Sequence, residues 1–431
     1  MTRIRMAVVI ATALVVGVAP ASLGGATALA APTHVTGAAG ASAGTVVQEG
    51  GPLVVPSGEE GPVTTRVKVA QYGATSERLQ ARLLLPSIEY DAGDEDHSFD
   101  TTVTATCAVN GGAFQPCPWG SGDWGSVAVL PTTATVNDLT YEIRLDASSS
   151  AQKYGTVTAT LEVLSEEGVV HARGPVSFTF AQGTPEAYLR TTVLARDKAG
   201  VLWQYPSSGH ADKPLRGRKR IGGGWNVYTS LTTLTYRTAA GEGDLVARDK
   251  DGVLWYYEGS GNPDAPFKPR VRIGGGWNTY TAITGRDRGV VARDKAGVLW
   301  HYAPTHRDDS VIFYPRRMVG GGWNAYTAIT GQGTGFNAVA RDTSGVLWTY
   351  GYGYAPSGGP YGPRVKVGGG WNAYNALAWT QKLGGESHDE LLARDGNGYL
   401  WLYKTVYRDD VSIPTTRKQI GWGWDIYDAI L

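Results

Sequence analysis

The sequence predicts an all-β protein: an N-terminal immunoglobulin-like β-sandwich followed by a five-bladed β-propeller that the C-terminal strand closes. Three observations carry this. The segment VGGGWNAYTAI (Val319 to Ile329) recurs as IGGGWNVYTSL (from Ile221), IGGGWNTYTAI (from Ile273), VGGGWNAYNAL (from Val367) and IGWGWDIYDAI (from Ile420). A second motif precedes each copy: LARDKAGVLWQY, VARDKDGVLWYY, VARDKAGVLWHY, VARDTSGVLWTY and LARDGNGYLWLY, with Asp197, Asp249, Asp294, Asp342 and Asp395 in equivalent places. Short apolar runs separated by Gly and Pro, repeating every 45 to 53 residues or roughly so, are the pattern of propeller blades.

The chain has 431 residues and 42% hydrophobic composition, enough for two separately packed domains. Lys and Arg balance Asp and Glu at 39 each, which argues against a nucleic-acid partner held through phosphate charge. With 59 Gly and 14 Trp but only 7 Phe, the composition suits a turn-rich β protein that displays aromatic surface.

Residues 1–30 carry Arg3 and Arg5, an apolar run from Met6 to Val18, and Ala28-Leu29-Ala30. That is the plan of a secretory signal peptide cleaved after Ala30, so a secreted, extracellular protein is expected. The apolar run is too short for a permanent anchor and no second long one follows, so no membrane span is expected. Residues 31–50, rich in Ala, Gly, Ser and Thr, read as a flexible leader.

Residues 51–183 form the expected sandwich. TRVKVAQY, TTVTATCAV, TVTATLEVL and VSFTF alternate with period two between Gly, Pro, Asp and Ser clusters, as antiparallel strands do. Cys107 and Cys117, ten positions apart across an Asn-Gly-Gly turn in an exported chain, are expected to form a disulfide. The five carboxylates of Asp91 to Asp100 could ligate calcium, but their spacing matches no defined loop and they read as a solvated acidic turn. A domain boundary is expected at Gly183 to Pro185, with the propeller over 186–431.

Within each repeat, Asp at the start and Gly at the end of R-D-x-x-G is tight-hairpin chemistry. Asp249-Lys250-Asp251-Gly252 resembles the start of a calcium loop, yet position 251 is Ala199, Ala296, Ser344 and Asn397 in the other copies, so no metal is expected. The Trp of V-L-W-x-Y (Trp203, Trp255, Trp300, Trp348, Trp401) reads as the wedge between blades. The Arg before each Asp (Arg196, Arg248, Arg293, Arg341, Arg394) is expected to pair locally or with a neighbouring blade.

G-G-G-W-N-x-Y differs in kind, because three glycines remove side-chain cover and let backbone lie close to a bound molecule. A ring beside an amide or carboxylate suits a sugar, whose C–H face packs on the ring while its hydroxyls take fixed donors and acceptors. The candidate carbohydrate residues are therefore Trp225, Asn226 and Tyr228; Trp277, Asn278 and Tyr280; Trp323, Asn324 and Tyr326; Trp371, Asn372 and Tyr374; and Trp424, Asp425 and Tyr427. A conformational turn with a packing Trp is the competing reading, and both stay open at this level.

The five repeats resemble the tachylectin family of five-bladed propeller lectins, whose I-G-x-G-G-W-[DN]-x-[FY] segment likewise precedes a short strand, a Gly turn and an aromatic strand. The resemblance covers about residues 186 to 431. It implies glycan binding, for N-acetylated sugars in the known lectins, at one site per blade. This chain departs from the family in having R-D-x-x-G where those lectins have a shorter P-D-G-like turn, and in placing Trp422 among the glycines of the last copy. Repeats of this type are also similar to modules appended to secreted actinobacterial hydrolases.

The expected function is that of a secreted carbohydrate-binding protein with up to five glycan sites, for cell-wall or cell-surface glycans, with no cofactor and no catalytic residues. A glycoside hydrolase would need two carboxylates at a defined separation, unique to single blades. The unrepeated acids Asp308, Asp309, Asp409 and Asp410 read as loop tips instead. A protein-binding adhesion or toxin-associated module, with a protein partner on the N-terminal domain, is the third reading.

Overall fold

The computed structural model describes residues 44–71, 78–86, 98–122, 125–133, 138–305, 312–333, 335–353, 361–383 and 389–431. The signal segment, most of the acidic Asp91 to Asp100 turn, and Asp308 and Asp309 lie outside the described residues.

The N-terminal half is all-β, in one hydrogen-bonded network of eleven strands. The order runs Thr45–Gln48, Val63–Ala70, Asp138–Ala147, Leu53–Ser57, Val170–Gln182, Thr156–Ser165, Leu79–Pro86, Gly125–Thr133, Trp119–Gly122, with Val103–Val109 added against Asp138–Ala147 and Gln115–Pro116 against Val103–Val109. The pairing is mixed, because Leu53–Ser57 runs parallel to Val170–Gln182 and meets Ala147 in parallel at Ser57. Alternation explains the core: in Leu79–Pro86 every second side chain is buried, and these pack with Leu161, Phe178 and Tyr141. Cys107 and Cys117 form a disulfide in that core.

One expectation needs correction here. Residues 31–50 read as leader, yet Thr45–Gln48 is a strand paired in register with Val67 to Ala70, and Gln48 hydrogen-bonds the backbone of Ser177. Val46 packs against the core, so ordering this segment is compensated by apolar burial that composition alone does not reveal.

The C-terminal half is a five-bladed propeller of four-stranded antiparallel sheets. Blades 2 to 5 start with inner strands Tyr228–Thr233, Tyr280–Arg286, Tyr326–Gly331 and Tyr374–Gln381, and each then runs outward through three consecutive strands. Blade 1 contributes Thr192–Asp197, Leu202–Pro206 and Lys219–Gly222, and takes its inner strand from the chain end, Tyr427–Ile430. Ala195 lies opposite Ile430 and Asp197 opposite Tyr427. The innermost strands touch one another in succession around the axis. Five apolar clusters fill the five gaps between blades, and each contains one Trp of the G-G-G-W series.

Each blade's outer strand ends in the glycine segment, which crosses to the next blade's inner strand through one turn of 3-10 helix. The third glycine of the segment begins that turn at φ near +82° (Gly322), a conformation a side chain resists. The turn lies against the R-D-x-x-G hairpin of the blade before it: Trp323 N–H donates to the Gly297 carbonyl at 3.0 Å, and Trp371 N–H to Gly345 at 2.9 Å. Ten turns thus gather on one face. The link to the N-terminal half sits on the other, where buried Arg190 donates to the carbonyls of Pro185 and Ser207 and to Glu59.

Candidate functional site

Asp249 shows how the hairpin is made. One carboxylate oxygen accepts from Asp251 N–H at 3.0 Å and Val253 N–H at 2.9 Å, and the other from the Trp255 indole at 2.8 Å. Asp197, Asp342 and Asp395 repeat all three bonds, and Asp294 repeats those to Val298 and Trp300. These aspartates are structural. Partial burial pushes the Asp249 carboxyl up, but the indole and backbone donors pull it further down, below the ordinary range. Asp342 is lowered chiefly by the Trp348 indole.

A carboxylate whose folded pKa lies below its unfolded one contributes fully above the unfolded value, and that contribution is lost as pH falls through the folded value. All five repeated aspartates are lowered in this way. Melting temperature is therefore expected to fall from about pH 5 to about pH 3. Asp249→Asn should lower the melting temperature at pH 7 and make the acid decline shallower. An unchanged decline would contradict this role.

The repeated arginines do both things expected of them: Nε pairs within the blade, as Arg248 does with Thr229 Oγ1 at 3.0 Å and Arg196 with Asp428, and Nη1 reaches the next blade. Arg248 Nη1 donates to the carbonyls of Trp277 and Tyr280 at 3.2 and 2.7 Å, and Arg293 to those of Trp323 and Tyr326 at 3.0 and 2.6 Å. The ring closes when Arg394 holds Trp424 and Tyr427 in the same manner.

Both tryptophan series pack between blades, the G-G-G-W series more deeply than the V-L-W-x-Y series expected to form the wedges. Trp225, Trp277, Trp323, Trp371 and Trp424 are only 5 to 8% exposed and stack between blades on the Tyr of V-L-W-x-Y, as Trp277 does on Tyr302 at 4.6 Å. They are the wedges. Trp203, Trp255, Trp300, Trp348 and Trp401 are only half-buried, and each lies under an arginine: Arg218, Arg270, Arg316 and Arg364 at 4.1 Å and Arg417 at 4.2 Å. The reason is position. The glycine crossover is flanked by two blades, whereas the third strand lies towards the rim where blades splay apart.

Tyr228, Tyr280, Tyr326, Tyr374 and Tyr427 are buried too, and their hydroxyls are committed. Tyr280 shares a hydrogen bond with Tyr302 at 2.6 Å and accepts from Arg316 at 2.6 Å. Burial, then this partner, pushes the Tyr302 hydroxyl up, so it stays neutral. The stacked arginines went unread in the sequence, although a signal exists: Arg218, Arg270, Arg316, Arg364 and Arg417 each stand three residues before the Ile or Val that opens the glycine segment. Asn226, Asn278, Asn324, Asn372 and Asp425 are exposed. Asn278 and Asn324 donate across to the Lys250 and Lys295 carbonyls at 3.2 and 3.3 Å, which ties them to the neighbouring hairpin.

The glycines remain open. A Cβ built on Gly320, Gly321 or Gly369 would meet nothing within 4 Å, and neither Gly321 nor Gly369 has positive φ. Packing and conformation therefore do not require glycine there. Among the described residues no hydrogen-bond partner is found for the indole Nε1 of Trp225, Trp277, Trp323, Trp371 or Trp424, and none of these atoms is sealed from solvent. The last copy differs: a Cβ on Gly421 would run into the indole of Trp424, so there packing does require glycine.

On the opposite face, Asp389 accepts from Ser412 Oγ at 3.0 Å and from Gln332, Tyr236 and Asn337. Burial raises its pKa, while these donors oppose the rise. Asp409 and Asp410 form the tip of the hairpin between Leu400–Arg408 and Val411–Gly421, and line a cleft of about 470 Å³ with Tyr352 and Tyr361. Among the described residues no group of three or more His, Cys, Asp or Glu is placed to hold a metal ion, and no helix is long and apolar enough to cross a membrane.

No protein-family model matches the chain, and no curated protein matches it. Among solved structures, AvmM, described as catalysing macrocyclization in alchivemycin A biosynthesis, aligns over 32% of this chain and 89% of its own, at 12% identity and a TM-score of 0.23. A likeness that slight carries no argument about chemistry.

Proposed function

We propose that this chain is a secreted glycan-binding protein, with tachylectin-like repeats presenting up to five sites on the glycine-turn face of the propeller. The observation that carries the reading is the uncrowded glycine backbone of blades 1 to 4, repeated around one face next to the exposed Asn226, Asn278, Asn324 and Asn372. A glycan ring can lie on backbone that no side chain covers while its hydroxyls take the exposed amides as donors and acceptors. Asn226 and its counterparts supply the exposed amides, and the stacked arginines hold the wall. Several weak sites on a rigid ring gain affinity for polymeric or clustered glycans through effective concentration. Export is supported by the Cys107–Cys117 disulfide, since such bonds persist in oxidising compartments. In the same reading the N-terminal half is an immunoglobulin-like spacer attached on the face away from the sites, free to take a protein partner.

The test is a double variant, Gly321→Val and Gly369→Val, on a printed array of chito-, cello- and N-acetyllactosamine oligomers. Melting temperature is expected to stay unchanged, because a Cβ at either position meets nothing within 4 Å, while array binding falls as two of five sites are blocked. Absence of binding by the parent protein, or full binding by the double variant, would reject the reading.

A further inference from the structure

Blade 5 breaks the pattern of the glycine-turn face in a consistent direction. Trp422, 79% exposed, stands where the other copies have Gly223, Gly275, Gly321 and Gly369, and half-exposed Tyr399 stands where they have Val201, Val253, Val298 and Val346. Leu400 pairs with Gly421, so Tyr399 and Trp422 leave the same end of that ladder side by side. Gly396 replaces Lys198, Lys250 and Lys295, which removes the long side chain from this hairpin. Asp425 replaces the asparagine, and a carboxylate has no N–H with which to cap the hairpin as Asn278 and Asn324 do. Among the described residues neither the Trp422 indole nor the Asp425 carboxylate has a hydrogen-bond partner. Four blades fold with glycine and valine at the two aromatic positions, so the fold does not need these rings.

We propose that blade 5 carries a stacking anchor for a pyranose ring, distinct from the backbone sites of the other blades, with Trp422 as the platform, Tyr399 as its flank and Asp425 as acceptor for a ring hydroxyl. The inference rests on the glycan-binding reading. Trp422 would obstruct a sugar lying against the glycine backbone, as in blades 1 to 4, and offers its own face instead. An apolar occupant such as a hydrophobic protein surface or a lipid would bury Asp425 with only the charge of Arg394 near it and no hydrogen-bond donor, at a cost a sugar avoids by supplying hydroxyls. The propeller is thus asymmetric in binding: one aromatic anchor holds a chain whose other residues are read by the open turns.

Reversion to the pattern of the other blades tests this in the full chain. Trp422→Gly and Tyr399→Val recreate local sequences that already fold four times over, so melting temperature is expected to hold. On the same oligosaccharide array, Trp422→Gly should lower apparent affinity about tenfold or more, the scale of losing one aromatic contact together with the avidity it nucleates, and Tyr399→Val by less. Chitotetraose or cellotetraose, whichever the parent binds, should shift the parent's Trp emission to shorter wavelength, and Trp422→Gly should abolish the shift. Binding and shift retained in Trp422→Gly would overturn the anchor while leaving the glycan reading intact. A parent protein that binds nothing on the array would overturn both.

Discussion

Deleting Tyr427 to Leu431 should lower the melting temperature of the propeller by more than about 10 °C and make the protein associate with itself. The first four of these residues, Tyr427–Ile430, are the inner strand of blade 1, and Leu431 follows it. Their loss removes the paired backbone bonds between Leu194 and Leu431, at 3.0 and 2.8 Å, and the pairings of Ala195 with Ile430 and Asp197 with Tyr427. It also removes the two-pronged contact of Arg196 with Asp428 at 2.7 and 3.0 Å, and strands Arg394, whose guanidinium holds the Tyr427 carbonyl. Tyr427 is buried with Trp424 and Val193 in the cluster between blades 5 and 1. At about 2 to 4 °C per kcal/mol for a domain of this size, the loss of several kcal/mol gives that shift. The bared edge of Thr192–Asp197 would then offer unpaired backbone donors and acceptors to other chains. Thermal melts and light scattering of the truncated protein decide the matter: an unchanged melting temperature would mean that blade 1 closes some other way.

Replacing a wedge tryptophan should have the next largest effect. Trp323→Ala is expected to cost about 3 to 5 kcal/mol, because it empties a site packed by Val291 and Leu299 of blade 3 and by Ala338, Ala340 and Tyr350 of blade 4. Its ring also stacks on Tyr350 at 4.9 Å and lies 5.5 Å from Tyr326. Trp348→Ala, at the half-buried position, loses the bond to Asp342 at 2.9 Å and the stack under Arg364, and should cost only about 1 to 3 kcal/mol. Urea unfolding of the two variants side by side measures the difference. If Trp348→Ala proved the more damaging, the assignment of wedge and rim would be reversed.

That pair also marks the limit of what the residues alone disclose. Repeat number, hairpins and the closing strand were legible because each depends on local pattern. Period-two runs make strands, Asp and Gly three residues on make the R-D-x-x-G turn, and each glycine segment is followed by one more short apolar run, Tyr427 to Ile430 in the last copy. Which tryptophan becomes the wedge depends instead on what stands on either side of it, and that is set by the neighbouring blade. Likewise the arginine at Arg218 meets Tyr427, 209 residues away, and no local rule connects them. The mixed network of the N-terminal half was hidden for a related reason, since alternation in Leu53–Ser57 is the same whether its partner runs parallel or antiparallel. For the site, the sequence alone fixed the bare glycines and the aromatic that follows them. That this ring is buried depends on the assembled blades, because an outer-to-inner crossover must pass between two converging sheets, whose apolar faces close over it.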